Sequence, residues 1–410
     1  MSVKWDALYA RRLNWMTTSV IRDILKVAQS PDIISLAGGW PEADLFPVGQ
    51  FEEICSDVLN ESPRESLQYG LTDGLPALRQ QIADLMSEQG MSADMENIVI
   101  TSGSQQALDL MGRIFLNEGD TVLVESPTFL GALQSFNAYG ACYATVPLDE
   151  EGARVDLLEE IIARTRPKFM YLLPTFQNPT GVTMSLERRK KVVEIAAEMG
   201  VPILEDDPYG ALRFAGDSLP TLASVDMANY PENAAQGRYA VGNVVYLSTF
   251  SKTLAPGLRI AWAVAPKEII EQFVMAKQGA DLHSNALSQA MACEFMRRGL
   301  LPAQVQRIRD TYLERRNAMC EAIAEFFPPD VRYTQPDGGL FLWVTLPEKL
   351  DGIELLKEAT RHKVAFVPGA PFFVDGAGHN TMRLSFACVP PETIREGIRR
   401  LGEVIAAQLG

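Results

Sequence analysis

Between Ile98 and Pro266 the chain keeps one pattern: short, nearly unbroken apolar runs alternate with stretches of helical spacing, joined by short turns. The runs are Ile98–Thr101, Thr121–Val124, Cys142–Val146, Phe169–Leu173, Pro202–Asp206, Val244–Ser248 and Ile260–Val264. Gln105–Leu116 and Leu186–Met199 are two of the helical stretches between them. A strand without polar alternation is buried on both faces, and a helix between strands covers a face. The pattern therefore predicts an α/β fold with a mostly parallel, seven-stranded sheet between helices. Ligands of such sheets lie outside the carboxyl ends of the strands, so the chemistry belongs in the loops that leave them.

The flanks predict a second unit. A chain of 410 residues is too long for one ordinary core. Lys267–Phe327 is dominated by helical spacing, with a long candidate at Leu287–Arg298. Residues 331–410 read as a smaller α+β unit, with strands at Gly338–Val344 and Met382–Cys388 and helices at Ile353–Thr360 and Pro391–Ala407. Ahead of the sheet, Ser19–Gln29 has helical apolar spacing with Ser19 as N-cap. Ile33–Ala37 reads as a strand, Gly38-Gly39-Trp40-Pro41 as a tight turn, and 50–60 and Leu75–Met86 as helices. Polar, glycine-containing Ala228–Arg238 reads as a surface insertion.

Composition excludes several functions. A net charge of −15 repels nucleic acid and anionic lipid, while leaving room for a locally positive site that takes an anionic substrate. The five cysteines are scattered with no C-x-x-C, as for small buried hydrophobes in a reducing cytosol. The three histidines have no metal-ligand spacing, so no metal is expected. No apolar stretch approaches the ~20 residues that span a bilayer, and Met1–Thr18 has no apolar leader core, so the expected location is the cytoplasm.

The strand exits describe one ligand. After Val244–Leu247 comes Ser248-Thr249-Phe250-Ser251-Lys252, with Arg259 seven residues further on. A lysine there can form a Schiff base with a carbonyl, while hydroxyls and a guanidinium hold a phosphate. Ser102-Gly103-Ser104-Gln105 enters a helix, exposing free N–H groups as a phosphate cradle. It matches neither Walker A nor G-x-G-x-x-G, which argues against a nucleotide. Phe129, which follows Glu125-Ser126-Pro127-Thr128 at another exit, can stack on a planar ring. Asn178, in the turn Asn178-Pro179-Thr180-Gly181, can offer its amide to a ring oxygen. Asp206 ends a buried strand, where a carboxylate is costly without a partner such as a protonated ring nitrogen. Together they spell pyridoxal 5′-phosphate.

With these motifs on Thr175–Gly181 and Ser248–Arg259, and others from Ala37-Gly38-Gly39 to Arg383, nearly the whole chain resembles the fold-type I pyridoxal-phosphate aminotransferases of class I/II. The resemblance implies an aspartate aminotransferase-like fold divided as an N-terminal arm at 1–48 that joins the small domain and lid, a large cofactor domain at 49–290 and a small domain at 291–410. It implies that Lys252 holds the cofactor and moves the proton, that Asp206 pairs with the ring nitrogen, and that Asn178 and Tyr209 hold the ring oxygen. Phe129 would stack on the ring, and Ser104, Gln105, Ser248, Ser251 and Arg259 would hold the phosphate. Tyr69 would reach the phosphate of a neighbouring subunit, implying a homodimer with shared sites. Arg383 would clamp the substrate α-carboxylate. The implied reaction is ping-pong transfer of an amino group between an L-amino acid and a 2-oxo acid such as 2-oxoglutarate.

Within that family, Ser19–Leu25 followed by Ile34–Gly39 and Leu45-Phe46-Pro47 resembles the 2-aminoadipate/kynurenine branch. There the N-terminal helix lies over the substrate, which makes Arg22, Ser19, Gly39 and Trp40 candidate substrate contacts. No arginine stands shortly before the Ser284-Asn285 pair, which argues against a strict aspartate enzyme. Aromatic, branched-chain and 2-aminoadipate-type donors all stay open. Other fold-type I reactions, β-elimination or decarboxylation, would use much the same cofactor residues. A non-catalytic regulator with this domain would need a basic helix-turn-helix module ahead of it, and little more than thirty residues precede Gly38.

Overall fold

The structure is a computed structural model that describes residues 2–16, 30, 32–229 and 242–410. The predicted helix Ser19–Gln29, with Ser19 and Arg22, and most of the predicted insertion lie outside the described residues. Strand β1 (Ile34–Ser35) is followed by β2 (Ile98–Thr101), β3 (Thr121–Ser126), β4 (Cys142–Asp149), β5 (Gly152–Ala153), β6 (Phe169–Leu172), β7 (Ile203–Asp206), β8 (Val244–Thr249) and β9 (Ala261–Val264). The last eight form one sheet in the order β2-β9-β8-β7-β6-β3-β4-β5.

All seven predicted strands are present. The eighth, β5, is a two-residue antiparallel return on β4, too short to leave a periodic signal. The neighbouring pairs from β8 to β4 are parallel, while β9 runs antiparallel to both β8 and β2. The joint from Phe250 to Ile260 is too short to house a crossover helix, so β9 can only return alongside β8. That short joint carries Lys252.

Successive side chains of a strand point to opposite faces, which gives the sheet two cores. Val122, Val124, Tyr171, Leu204 and Leu247 pack with the helices Ser104–Phe115, Leu130–Asn137 and Lys267–Gln278. Leu123, Met170, Ile203 and Tyr246 pack on the other face with Pro76–Glu88, Leu186–Met199 and Ala286–Arg297. Each fully buried aliphatic side chain contributes about 1.5–3 kcal/mol.

The remaining strands are β10 (Arg332–Tyr333), β11 (Phe341–Thr345), β12 (Val364–Ala365), β13 (Val367–Pro368) and β14 (Thr381–Ser385). β10, β11, β14 and β13 form an antiparallel sheet that shares a core with the helices Leu301–Phe326 and Pro391–Leu409. β11 starts three residues later than predicted, because Gly339 has φ +72° and a Cβ on Gly338 would lie 2.2 Å from the Phe176 ring. The N-terminal part joins this second unit. β1 pairs in parallel with β12, and Leu36 donates to Ala365 O and accepts from Ser385 N, both at 2.8 Å. That pairing carries Gly38 and Gly39 to the strand that bears Arg383.

Candidate active site

Lys252 lies at the carboxyl end of β8, and its Nζ donates to the Gly39 carbonyl at 2.9 Å. No carboxylate pairs with it among the described residues. Burial pulls its ammonium down to about 8; the charges of Arg383 and Arg259 push the same way, against an opposing contribution from Cys388. A lysine near 8 carries a useful fraction of free amine at neutral pH.

Asp206 ends β7 on the Leu204 face of the sheet and is 2% exposed. One carboxylate oxygen accepts from Tyr171 OH at 2.8 Å, and the other, Oδ1, is buried without a partner. Burial raises its pKa to about 7, opposed by the Tyr171 hydrogen bond and reinforced by Asp207. Tyr171 pairs in register with Leu204, so its ring shares the face and sits diagonally from Asp206. The sequence reading missed Tyr171. The signal was available, since a tyrosine inside an otherwise apolar buried strand needs a partner for its hydroxyl.

The expected phosphate cradle is built by close approach. Gly103 has φ +82°, and a Cβ there would lie 1.9 Å from Arg259 Nη2. The missing side chain lets the Arg259 guanidinium lie against the N-terminus of the Ser104–Phe115 helix, with Nη2 3.4 Å from Ser102 O. Ser104 Oγ is buried there with no partner. Ser251 Oγ lies 3.5 Å from Arg259 Nη1 and 2.9 Å from Thr249 Oγ1. Two cradle residues point elsewhere. Gln105 Nε2 donates to Gly131 O and Ser135 Oγ, both at 2.7 Å, which leaves its backbone N–H for an anion. Ser248 Oγ donates to Asp207 O at 2.8 Å, and Ser248 lies on the Tyr246 face of the sheet.

Arg383, from β14, is 3% exposed and brings the small sheet to this site. Its Nη1 donates to Asn178 Oδ1 at 2.9 Å and its Nη2 to Ala37 O at 3.1 Å, while Nε is buried without a partner. The guanidinium lies 4.1 Å from the centre of the Phe341 ring, and burial pulls its pKa to about 10. Asn178 Nδ2 reaches Tyr209 OH at 3.5 Å. Phe129 caps the Leu130–Asn137 helix, and its ring fills the space a Cβ on Gly131 would need. Trp40 is 48% exposed, with its carbonyl 3.0 Å from Cys388 Sγ. Tyr69 is 79% exposed, edge-on to His283 at 5.8 Å. Glu42 ion-pairs with Arg315 at 2.8 Å, which anchors the turn that presents Gly39. No local pattern in the chain signals that anchor.

The donor set fits pyridoxal phosphate. Three buried polar atoms without partners, Asp206 Oδ1, Ser104 Oγ and Arg383 Nε, match a ring cation, a phosphate and a carboxylate. Among the described residues no cluster of His, Cys, Asp and Glu is placed to hold a metal ion, and no helix is long and apolar enough to cross a membrane.

Comparison with known proteins places the chain in a family. The family described as aminotransferase class I and II matches residues 33–401. An aromatic-amino-acid aminotransferase of Thermococcus litoralis is 42% identical, over 100% of this chain and 96% of that protein. A 2-aminoadipate transaminase of Thermus thermophilus is 42% identical, over 99% of this chain and 98% of that protein. A solved α-aminoadipate aminotransferase of Thermus thermophilus, complexed with N-(5′-phosphopyridoxyl)-L-leucine, superposes with a TM-score of 0.90 at 41% identity, covering 99% of each chain.

Proposed function

The chain belongs to the class I and II aminotransferases, and from that membership we propose how its own residues divide the work and which substrates it takes. It is a pyridoxal phosphate-dependent enzyme that moves an amino group between an amino acid and a 2-oxo acid. The observation that carries the assignment of roles is the half-paired Asp206 carboxylate.

When bound, pyridoxal phosphate supplies an electron sink that acidifies the substrate Cα–H and carries the amino group between the two half reactions. Asp206 holds a negative charge toward the ring nitrogen, with Tyr171 fixing its orientation. Asn178 and Tyr209 would hold the ring oxygen, and Phe129 would stack on the ring. Arg259, Ser104, Ser251 and the N–H groups of Ser104 and Gln105 hold the phosphate; Ser248 joins them only if its hydroxyl turns from Asp207. Arg383 takes the substrate carboxylate through its free Nε–H and one terminal N–H. Lys252, whose ammonium burial brings down to about 8, would take the substrate's Cα proton as a free amine and later give it back.

The domain division at 1–48, 49–290 and 291–410 is proposed on the separate cores of the two sheets. A homodimer is proposed because Leu67, Tyr69 and Leu71 form a highly exposed apolar run in a single chain. A cytoplasmic location is proposed on the five free cysteines.

Aromatic, branched-chain and 2-aminoadipate-type donors with 2-oxoglutarate as acceptor are the proposed substrates, with Gly39 and Trp40 near the carboxylate site and Ser19 and Arg22 assigned from resemblance alone. The test is a donor panel on the enzyme and on Arg22→Ala, following glutamate. Loss confined to acidic donors supports a contact between Arg22 and a distal carboxylate. Equal loss across the panel refutes it.

A further inference from the structure

We propose that the chain carries a second small-molecule site, behind the cofactor residues, that takes a small monocarboxylate with an apolar body. A cavity of about 630 Å³ lies between the ends of β7 and β8 and the start of the Leu301–Phe326 helix. That volume suits a small organic ligand. Lys252, Asp206, Asn178 and Arg383 do not line it. Strand alternation explains the separation: Asp206 lies on the Leu204 face, while Tyr246 and Ser248 alternate onto the opposite face and line this cavity.

Part of the cavity wall is apolar, with Leu85, Leu219, Pro302, Val305 and Phe250. Trp262 also lines it, and its indole Nε1 is buried without a partner. An indole N–H is a donor only, so that atom asks for an acceptor that the chain does not supply. Arg213 and Arg309 also line the cavity, and they line an adjoining cavity of about 260 Å³ together with Asp310. Arg309 Nε is held by Ala211 O at 2.7 Å, and the Arg213 guanidinium lies 4.6 Å from the centre of the Phe176 ring. Among the described residues neither arginine forms an ion pair. Asp337, Asp207 and Asp217 act on Arg213 from beyond ion-pair distance, and its Nη1 donates to Ala215 O at 3.2 Å, so Arg309 is the fork best placed to take a carboxylate ligand. Glu88 and Asp207 are the acidic side chains on the wall, and Asp207 is already taken by Tyr246 OH at 3.0 Å and Gly210 N at 2.8 Å. Against that balance of charge, a single negative charge fits better than two.

The cavity touches the cofactor's supports. Ser248 Oγ and Asp207 O form its seam at 2.8 Å, and Asp207 stands between Asp206 and the Tyr209 loop. An occupant therefore bears on the residues that face the ring, and its effect on turnover is not competitive with substrate.

The test titrates the holoenzyme with 4-phenylbutyrate, which has no amino or oxo group, by calorimetry and in steady-state assays. Two sites per chain are expected, one at Arg383 and one here. Arg309→Gln and the cavity-filling Val305→Trp should each weaken the second site at least tenfold, while Arg383→Lys weakens only the first. With Val305→Trp, kcat/KM without the probe should stay within twofold, and the non-competitive component of the probe's effect should vanish. A single site abolished by Arg383→Lys, no binding at all, or two sites indifferent to both cavity variants would each overturn the proposal.

Discussion

Replacing Asp206 by asparagine separates what this residue costs the fold from what it supplies to the chemistry. In the cofactor-free protein its pKa is raised from 3.8 to about 7, chiefly by burial. Between those values the unfolded chain has lost the proton and the native state keeps it, so stability falls as pH rises through that window. A shift of about three units corresponds to about 4 kcal/mol, a ceiling reached above pH 7. The substituted asparagine cannot ionise; its oxygen can still accept from Tyr171, but its amide nitrogen is left unpaired at a cost of about 1–3 kcal/mol. The two effects have opposite signs and different pH dependence. Denaturant unfolding of cofactor-free protein should therefore find Asp206→Asn less stable than wild type at pH 4 and more stable at pH 8, by about 1–3 kcal/mol each way. Binding and turnover should move oppositely, with cofactor affinity or kcat lower by about a hundredfold or more, the loss typical of removing one member of a buried charge pair. A stability difference that does not change between pH 4 and pH 8 would refute the reasoning, because the orphaned carboxylate would then not be carrying the burial cost.

Two further perturbations probe the other edges of the site. In the cofactor-free enzyme, the rate of cofactor capture, normalised to a free amine measured in parallel, should rise about tenfold per pH unit and level near 8, where Lys252 loses its proton; a rise continuing to pH 10 would mean that burial does not depress it. Gly103→Ala places a methyl where Arg259 Nη2 lies and strains a φ of +82°. It should cost at least about 1 kcal/mol in stability and weaken phosphate-bearing cofactor far more than phosphate-free pyridoxal, measured as two dissociation constants.

The sheet, and the residues that gather at the candidate site, were legible in the sequence because both are written locally. Each strand is a buried apolar run, and each exit loop carries residue types, Lys252, Asp206, Asn178 and Phe129, that are expensive or purposeless there without a ligand. What escaped depends on chain segments far apart. The Tyr171–Asp206 bond follows from the register of β6 on β7, which no single strand encodes. The Glu42–Arg315 anchor joins the N-terminal turn to the Leu301–Phe326 helix, most of the chain away. Ser248 shows the converse limit. Its place in the motif suggested a phosphate contact, whereas strand alternation turns its hydroxyl to Asp207. The two-residue β5 has no periodicity to read.

The central claim is that these residues run a transamination in two halves. The most direct measurement is a single half reaction: holoenzyme mixed with an aromatic or 2-aminoadipate donor and no acceptor. The account predicts release of one 2-oxo acid per active site, no free ammonia, and a stop until 2-oxoglutarate is added, with Lys252→Ala silent throughout. Continued release of 2-oxo acid with ammonia in the absence of any acceptor would contradict it.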